Sequence, residues 1–459
     1  MPVATTPTIW SSRFAFLMAA IGSAVGLGNI WRFPYLAGAN GGGAFIIVYI
    51  VTIIAIAVPV LMAEIMLGRM GKASPITSMA RLIGQYRASW LWSLIGWGGT
   101  IGAFVVLSFY SVIGGWAFHY VTYAATGVFT GISKAGAGDL FSTLTGDPVT
   151  LAIWHTIYIA MTIAIVAGGV KAGIERSVVV LMPLLFVLLL VMSLYAMTRP
   201  GFAQAISFMF AFRFADIHAS TVLAAIGQGF FSLSVALGAM MSYGAYLDET
   251  ESIGASAIII AIADTSVAIL AGVAIFPLVF TYGLEPASGP GLTFVTLPIA
   301  FGAIPGGALV GVVFFLLLSV AAVTSSISLL EPAVAYAVEK SSLGRPALAL
   351  IIGGASWLLG FLTIFSFNRL ADLHPLASLG LMPDKTFFDI FDFTTSNIVM
   401  PSVGFLMAVF VGWVLSGDVV AQALGAQKAR WFGLWRFLIR YIAPLGVISI
   451  FVVNVVLPG

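Results

Sequence analysis

Long apolar runs separated by short polar segments extend over the whole 459-residue chain. Most runs reach the roughly 20 residues that a helix needs to cross the ~30 Å hydrocarbon core of a bilayer. With Pro, Gly and charged residues as boundaries, the pattern predicts spans at residues 12–38, 42–68, 89–124, 149–168, 174–197, 217–247, 253–282, 304–340, 345–366, 387–416 and 432–457. We therefore expect an all-α membrane protein with eleven transmembrane helices in a single domain, residues 1–459.

The composition excludes an ordinary soluble protein. Hydrophobic residues make up 61% of the chain and charged residues 8%, against about 25% charged residues in soluble domains. The chain contains 0 cysteines, which rules out disulfides and thiolate metal sites. The net charge of +2 is too small to indicate a nucleic-acid partner. No basic region precedes the first apolar run, so we expect a spanning helix there and not a cleavable signal peptide.

Lys and Arg are distributed unequally between the two sides that eleven spans create. One side carries 13 and the other 6 of the 19 basic residues. The larger set is Arg13, Arg69, Lys72, Arg81, Arg87, Lys171, Arg176, Lys340, Arg345, Lys428, Arg430, Arg436 and Arg440, and the smaller set is Arg32, Lys134, Arg199, Arg213, Arg369 and Lys385. The positive-inside rule then predicts a cytoplasmic N-terminus and an external C-terminus at Gly459.

Two stretches between spans are distinctive. The basic segment Arg69–Ser89 predicts a cytoplasmic loop with a surface helix. The segment Tyr282–Gly307 contains four prolines around a short apolar run, which predicts an external hairpin that dips into a vestibule.

The first span is interrupted by glycines. Gly22, Gly26 and Gly28 lie within seven residues in its middle, and each costs roughly 1 kcal/mol against Ala in a helix. Unwound backbone inside a membrane persists only where it lines a cavity or a site. Close packing of small residues is an equal alternative for the glycines alone. The neighbouring Asn29 and Arg32 favour a site.

The sixth span repeats this interruption. Between Gln228 and Gly238 it carries Ser232, Ser234 and two glycines. Paired breaks at corresponding positions are typical of transporters built from inverted repeats. We therefore expect helices 1 and 6 to be unwound mid-membrane, with one five-helix repeat at residues 12–197, a second at 217–416, and helix 11 at 432–457 outside both.

Three carboxylates lie inside spans, where each costs about 2.5–3.5 kcal/mol on insertion scales. Glu64 is interpreted as a hydrogen-bond partner of loosened backbone, and Asp264 as an ion ligand, since hard cations prefer oxygen donors. Glu331 is given no role. The consecutive hydroxyls of Thr324–Ser326 suit a weakly held monovalent cation, although membrane hydroxyls often bond only the preceding turn.

Other chemistries lack a signal. The segment Gly68–Ala73 does not have the spacing of a phosphate-binding loop. The four histidines are scattered, and no nucleophile can be paired with a base. An enzyme is therefore not expected.

Six motifs closely resemble the neurotransmitter:sodium symporter family, above all its bacterial amino-acid branch, which includes leucine and hydrophobic amino acid transporters. They are Ala24–Tyr35 (AVGLGNIWRFPY), Asn40–Phe45, Glu64–Arg69, Gln228–Ser234, Thr324–Ser326 and Phe388–Ser396. The resemblance covers nearly the whole chain in order. It implies a chloride-independent symporter in the bacterial plasma membrane that imports neutral, hydrophobic L-amino acids by alternating access. It implies two Na+ ions and the lipid bilayer as partners, with no nucleic acid and no obligatory protein partner.

The resemblance also assigns ligands to the two sodium ions. The first ion would be bound by Ala24, Asn29, Ser232 and Asp264, together with the substrate carboxylate. The second would be bound by Gly22, Val25, Ala321, Thr324 and Ser325.

The implied substrate site lies between spans 1, 3, 6 and 8. Its residues are Ser23, Ala24, Leu27, Gly28, Val106, Tyr110, Phe231, Ser232, Ser234, Leu237, Ser325, Ser326 and Leu329. Tyr110 and the amides of Leu27 and Gly28 would receive the substrate carboxylate. Arg32 and Asp392 would form the external gate, and Tyr246 and Glu339 part of the internal gate.

Some positions depart from the family pattern. Gly26 replaces the Asp of monoamine transporters, which points to substrates that bring their own carboxylate. Asp264 replaces the Asn of animal members, and its fixed charge predicts transport without chloride. The Arg that usually precedes the first-span Trp is absent before Trp10, so another group must complete the internal gate. Ala236 and Leu237 also differ from the leucine transporter, so its side-chain preference does not carry over.

A channel and an amino-acid sensor are the alternatives to a symporter. A channel would show continuous pore-lining repeats or charged rings. A receptor-like amino-acid sensor would show a large soluble domain or degraded ion ligands. The sequence shows neither pattern.

Overall fold

The computed structural model describes residues 10–286 and 291–452, and these residues form helices and no strand. The helices are α1 (Arg13–Ala24), α2 (Gly28–Ala39), α3 (Gly43–Gly71), α4 (Pro75–Tyr86), α5 (Trp90–Ala125), α6 (Lys134–Gly146), α7 (Pro148–Ala167), α8 (Val170–Met197), α9 (Phe202–Phe210), α10 (Ala219–Ser232), α11 (Ala239–Ala245), α12 (Ile253–Thr281), α13 (Leu292–Ala303), α14 (Gly307–Lys340), α15 (Arg345–Ser366), α16 (Phe387–Val414), α17 (Gly417–Ala423) and α18 (Trp431–Phe451).

Nine helices in the described part of the chain are long and apolar enough to cross a membrane: α3, α5, α7, α8, α12, α14, α15, α16 and α18. The pair α1 and α2 forms a tenth candidate, bent by 47° at its break. These ten follow the predicted spans closely. The sixth predicted span is occupied by α10 and α11, which are shorter, so the count of eleven stays a prediction.

Some sequence expectations fall outside the described residues. They concern the segment before Trp10, Pro290 in the predicted external hairpin, the last residues of the span 432–457 and the position of Gly459. The predicted surface helix in the segment Arg69–Ser89 is present as α4, which Ser74 caps by accepting a hydrogen bond from the Thr77 amide.

Helix α14 lies at the centre of the bundle. It packs most extensively on α5 and also contacts α1, α7, α8 and α15. Its middle, residues 320–332, is buried without interruption. That stretch is rich in Ala and Ser, and small residues let helices approach closely in a membrane. The hydroxyl-bearing turn Thr324–Ser326 is therefore surrounded by other helices.

Helices α3 and α11 are in backbone contact through two glycines. A Cβ at Gly68 would lie 2.0 Å from the Met241 carbonyl oxygen, and one at Gly244 would lie 2.4 Å from the Ile65 carbonyl oxygen. This close approach places the buried Glu64 against the break between α10 and α11. The Ala236 amide donates to Glu64 Oε2 at 2.8 Å. The interpretation of Glu64 as a partner of loosened backbone is thus confirmed.

Both predicted helix breaks are present, and they face each other. At the first, Val25 turns to an extended conformation with φ −75° and ψ 107°. At the second, Ser234 and Ala236 adopt left-handed φ angles of 50° and 70°. Left-handed backbone is costly for residues other than Gly and persists only where its surroundings hold it. Here the Ser234 hydroxyl donates to the Ser23 carbonyl across the two breaks at 2.9 Å.

Candidate functional site

A buried carboxylate cluster lies beside the two breaks. Asn29 Nδ2 donates to Asp264 Oδ1 at 2.7 Å and lies 3.0 Å from Ser232 Oγ. The hydroxyls of Ser232 and Tyr49 donate to Asp264 Oδ2 at 2.7 and 3.1 Å. All four residues are fully buried. They come from α2, α3, α10 and α12, so the cluster joins both broken helices to unbroken ones.

Within the part of the chain that the structure describes, no Lys, Arg or His forms an ion pair with the Asp264 carboxylate. A carboxylate without a counter-charge is expensive inside a membrane and usually faces a cation or a cavity. The oxygen atoms of Asn29, Ser232 and Asp264 suit a hard cation. These three residues belong to the first predicted sodium site, and the fourth, Ala24, is the last residue of α1 and lines the cavity described below.

The break in the first span releases several backbone carbonyls, including those of Gly22 and Val25. In a continuous helix the Gly26 amide would bond the Gly22 carbonyl, but it donates to Asn29 Oδ1 at 3.1 Å. Similarly, the Asn29 amide donates to the Gly26 carbonyl at 3.2 Å and not to that of Val25. The carbonyls of Gly22 and Val25 are therefore free for other partners.

A second oxygen cluster forms around these carbonyls. Ser325 Oγ lies 3.3 Å from the Gly22 oxygen and 3.2 Å from the Val25 oxygen. Thr324 Oγ1 lies 3.0 Å from the Ala321 oxygen, and a Cβ at Gly22 would lie 3.2 Å from Thr324 Cβ. The five residues predicted for the second sodium ion are thus gathered at one place. They offer only neutral oxygen atoms, which suits a monovalent cation.

A small cavity lies between the two clusters. Its volume is about 20 Å³, roughly what one water molecule needs. It is lined by Ala24, Gly26, Gly28, Val106, Tyr110, Phe231, Ser234, Leu237, Ser325 and Leu329. Nine of these residues were predicted to contact the substrate, and Gly26 is the addition.

The cavity has a polar end and an apolar wall. At the polar end the Leu27 amide donates to the Tyr110 hydroxyl at 3.1 Å, next to the first turn of α2. The amino end of a helix carries a partial positive charge, which favours an anionic group. Val106, Leu237 and Leu329 supply apolar surface opposite. This arrangement suits a small molecule with a carboxylate and an apolar side chain.

Gly26 leaves no room for a side chain. A Cβ at this position would lie 2.3 Å from Ser325 Oγ and 2.7 Å from the Tyr110 hydroxyl oxygen. The position therefore admits only Gly in this conformation. This agrees with the expectation that the protein itself supplies no carboxylate at the polar end.

Four predicted substrate residues lie behind the cavity surface. Leu27 contributes its amide, as described above, and Ser232 belongs to the Asp264 cluster. The Ser23 hydroxyl donates to Ser328 Oγ at 2.8 Å. Ser326 Oγ lies 2.8 Å from the Thr162 hydroxyl of α7. No sequence pattern indicates a role for Thr162, because the pairing depends on how α7 packs against α14.

The predicted external gate residues, Arg32 and Asp392, have different partners. The Arg32 guanidinium stacks over the Phe231 ring, 4.4 Å from its centroid. Asp392 accepts a hydrogen bond from the Ser396 hydroxyl at 3.2 Å. No direct ion pair joins Arg32 and Asp392 in the described structure. Phe231 separates Arg32 from the cavity.

On the opposite side a network closes around Glu331. This fully buried carboxylate forms an ion pair with Arg345 and accepts a hydrogen bond from the Tyr246 hydroxyl at 3.2 Å. Arg345 Nε also donates to the Val166 carbonyl at 2.9 Å. Trp10 joins the network because its amide donates to the Tyr246 carbonyl at 3.2 Å.

The network supplies a role for Glu331, which the sequence left unassigned. Its basic partner, Arg345, was missed. The sequence contains a pattern that could have predicted this pair. A carboxylate lies late in one spanning helix, a short loop follows that helix, and an Arg begins the next one. The other predicted gate residue, Glu339, instead accepts from the Ser74 amide and hydroxyl at 2.6 and 2.7 Å. Arg13 pairs with Glu251 at 3.2 Å.

Comparison with known proteins gives consistent matches. The sequence profile of the Sodium:neurotransmitter symporter family matches residues 8–130 and 145–458. An uncharacterized sodium-dependent transporter of Bacillus subtilis, YhdH, is 38% identical over 448 residues, 97% of each chain. An uncharacterized sodium-dependent transporter of Haemophilus influenzae is 32% identical over 452 residues, 97% of each chain.

A solved structure is similar over nearly the full length. The crystal structure of MhsT in complex with L-phenylalanine superposes with a TM-score of 0.89 at 38% sequence identity. The match covers 97% of this chain and 99% of the MhsT chain.

The ion pair between Glu331 and Arg345 leads to a stability prediction. Replacing Arg345 by Ala leaves a buried carboxylate without its counter-charge, and we expect a loss of about 3–5 kcal/mol of unfolding free energy. The measurement is thermal unfolding of the purified protein in detergent. The exposed pair between Lys72 and Glu249 provides the matched control, because such pairs contribute little. Equal shifts for Arg345→Ala and Lys72→Ala would contradict the assignment.

Proposed function

The chain belongs to the sodium:neurotransmitter symporter family, and we propose that it is a sodium-coupled symporter that imports neutral, mainly hydrophobic L-amino acids by alternating access. The observation that carries this proposal is the arrangement at the two facing helix breaks. Two oxygen clusters, one of them containing an uncompensated carboxylate, flank a single cavity with a polar end and an apolar wall.

The proposed architecture has eleven spans in two inverted repeats. The repeats are residues 12–197 and 217–416, and the eleventh span is residues 432–457. Their first members are the broken pairs α1 with α2 and α10 with α11. In a bacterial plasma membrane the more basic face would be cytoplasmic. The N-terminus then lies inside and Gly459 outside.

We assign one sodium ion to each oxygen cluster. The first would be bound by Asn29, Ser232 and Asp264, with the carbonyl of Ala24 and the carboxylate of the substrate. The second would be bound by the carbonyls of Gly22, Val25 and Ala321 and the hydroxyls of Thr324 and Ser325. A carboxylate in the first cluster and neutral oxygens in the second are both hard donors.

The substrate would lie with its carboxylate at the polar end of the cavity. The amides of Leu27 and Gly28 and the Tyr110 hydroxyl are the donors there. The ammonium group would meet carbonyls at the two breaks, those of Ser23, Ala24, Phe231 and Ser234. The ligand in the MhsT structure is L-phenylalanine, which has the carboxylate, ammonium and apolar side chain that this arrangement suits.

The cavity is too small for an amino acid as it stands. Binding therefore requires the side chains that line it to move outward. Phe231 is the mobile candidate on the external side, because it lines the cavity, is only partly buried and has the Arg32 guanidinium on its other face. Leu237 belongs to the break before α11 and can shift with that backbone. Substrate size would thus be set by how far these two side chains can retract.

Two coupled ions give a useful driving force. Each sodium ion that moves down 100 mV supplies about 2.3 kcal/mol. Two ions supply about 4.6 kcal/mol, which sustains a concentration ratio of roughly 2,500-fold. A single ion would limit accumulation to about fiftyfold under the same potential.

The gates would act on either side of this site. We place Arg32, Asp392 and Phe231 in the external gate. The internal gate would contain Tyr246 and Glu339. In relatives, an Arg before the position of Trp10 helps to form the ion pair of this gate. Here the pair between Arg345 and Glu331 would take its place. Trp10 and the α1 segment must separate from Tyr246 before the site can open inward.

Uptake into proteoliposomes tests the proposed function. We expect labelled neutral, apolar amino acids to accumulate when an inward sodium gradient is present, and acidic and basic ones to be excluded. Accumulation above the external concentration should disappear when the gradient is collapsed. Sodium-insensitive uptake of every amino acid would overturn the proposal. Equilibration without accumulation would indicate a channel, and binding without uptake would indicate a sensor.

Asp264 tests the first sodium site. Asp264→Ala removes the carboxylate of that cluster, so sodium should promote substrate binding far less well. We expect the half-saturating sodium concentration to rise by more than about tenfold. The measurement is amino-acid binding to purified protein at varied sodium concentration. Glu64→Gln is the matched control, because it neutralises a buried carboxylate that contacts backbone only, and sodium dependence should remain. Unchanged sodium affinity in Asp264→Ala would remove Asp264 from the site.

The fixed charge of Asp264 also gives a prediction for chloride. The hydroxyls of Tyr49 and Ser232 already donate to this carboxylate, so an added anion would meet like charge there. We expect sodium-driven uptake to be unchanged when chloride is replaced by gluconate on both sides of the membrane. Uptake that collapses in gluconate and returns with chloride would show this expectation to be wrong.

A further inference from the structure

The last part of the chain carries basic residues without acidic ones. Asp418 is the final acidic residue, and Lys428, Arg430, Arg436 and Arg440 follow it. Arg436 and Arg440 are four positions apart on α18, so their side chains share one helix face. Neither forms an ion pair with a carboxylate among the described residues.

Both arginines are fixed at the end of α16. Arg436 donates to the carbonyls of Val411 and Leu415 at 2.6 and 2.8 Å, and Arg440 Nε donates to the Gly412 carbonyl at 2.6 Å. The last carbonyls of a helix lack partners within it, and they attract cations. A Cβ at Gly412 would lie 3.1 Å from Arg440 Cγ, so the glycine permits this close approach.

These bonds leave donors unused. A guanidinium offers five N–H donors in a planar fork, and Arg440 uses only its Nε–H for Gly412. Within the described residues, the hydrogen bonds of these two neighbouring positive charges go to neutral carbonyls. An anion with several oxygen atoms could bond both guanidinium groups, and phosphate matches the fork geometry of Arg especially well.

The surroundings place these charges at the boundary of the membrane. The Arg440 guanidinium lies 4.8 Å from the centroid of the Trp413 ring, and Trp413 Nε1 donates to the Arg440 carbonyl at 3.2 Å. Trp413, Phe437 and Tyr441 are 52%, 50% and 42% exposed. Exposed aromatic rings of this kind are typical of the headgroup level of a bilayer.

An apolar strip continues from this level along the same helix. Leu445 and Ile448 follow Tyr441 at helical spacing, and both side chains are exposed. An acyl chain could lie along this strip while its headgroup remains beside Arg436 and Arg440. The two parts of the surface thus match the two parts of a phospholipid.

We propose that Arg436, Arg440 and Trp413 form a binding site for the phosphate of an anionic phospholipid, such as phosphatidylglycerol, in the leaflet next to the basic face. That leaflet is cytoplasmic in the orientation proposed above. Basic pockets between spanning helices on this side are suited to anionic headgroups. The site is distant in sequence from every residue of the ion clusters, so it stands or falls independently of the transport proposal.

Native mass spectrometry of the full-length, delipidated protein tests this site. Phosphatidylglycerol and phosphatidylcholine with the same acyl chains are added at equal concentrations. We expect wild-type protein to retain phosphatidylglycerol preferentially. Arg436→Gln and Arg440→Gln should each weaken its retention about fivefold and leave phosphatidylcholine unaffected. Arg430→Gln, which removes an exposed charge without these contacts, is the matched control and should behave like wild type.

Three results would overturn the proposal. The first is equal retention of both lipids by wild-type protein, and the second is unchanged phosphatidylglycerol binding in the two Gln variants. The third is full displacement of the lipid by inorganic phosphate at millimolar concentration, which would indicate a site for the free anion. If the Gln variants do not purify as folded protein, Arg440→Lys replaces them. It keeps the charge but loses the planar fork, so a weaker preference for phosphatidylglycerol is expected. A preference equal to that of wild type would exclude Arg440 from the site.

Discussion

The structure depends on one constraint, that backbone polar groups inside a membrane must find partners. The break after α1 leaves the carbonyls of Gly22 and Val25 without helical donors. The Asn29 side chain takes the Gly26 amide, Ser325 reaches both carbonyls, and Tyr110 takes the Leu27 amide. Each of these partners comes from another turn or another helix. The break therefore requires hydrogen-bonding side chains on α5 and α14 at the same level in the membrane. The oxygen atoms of these side chains and of the free carbonyls then line the space between the helices.

The three buried carboxylates show how charge is handled in the same environment. Glu331 is neutralised by Arg345, and Glu64 accepts from a loosened backbone amide. Asp264 has neither arrangement, since its partners are an amide and two hydroxyls. These neutral donors orient the carboxylate without cancelling its charge. Glu64 also has only a neutral donor, but Asp264 alone of the three lies beside the side chains of Asn29, Ser232 and Tyr49, which is why it is the centre of a proposed ion site.

Features that violate a local rule for membrane helices could be predicted from the sequence, and features that depend on helix packing could not. Glycines in mid-span and carboxylates in apolar runs break rules that hold for every membrane helix, so both breaks and the role of Glu64 could be predicted. Most residues that the family motifs assign to the two sodium ions lie in the two oxygen clusters, and their role as ligands stays a prediction. The pairings of Glu331 with Arg345 and of Ser326 with Thr162 depend on the rotation and the relative depth of neighbouring helices, which no local pattern encodes. Residues 320–332 are all buried, so hydropathy alone could not tell which side of α14 meets α7.

Coupling between ions and movement follows from how the clusters are divided. Each cluster takes part of its oxygen atoms from a broken helix and part from an unbroken one. The first combines Asn29 and Ser232 of the broken spans with Asp264 of α12. The second combines the carbonyls of Gly22 and Val25 at the first break with the Ser325 hydroxyl of α14. If α1 tilts away from α14, the second set separates and its affinity for a cation falls. A ligand shifts a conformational equilibrium only by its difference in affinity for the two states. A cation shared between α1 and α14 would have such a difference, so it would hold α1 in place and keep the Trp10 contacts to Tyr246 intact. In the proposed mechanism its release would permit α1 to move, and the ions would stabilise the internal closure as well as supply the driving force.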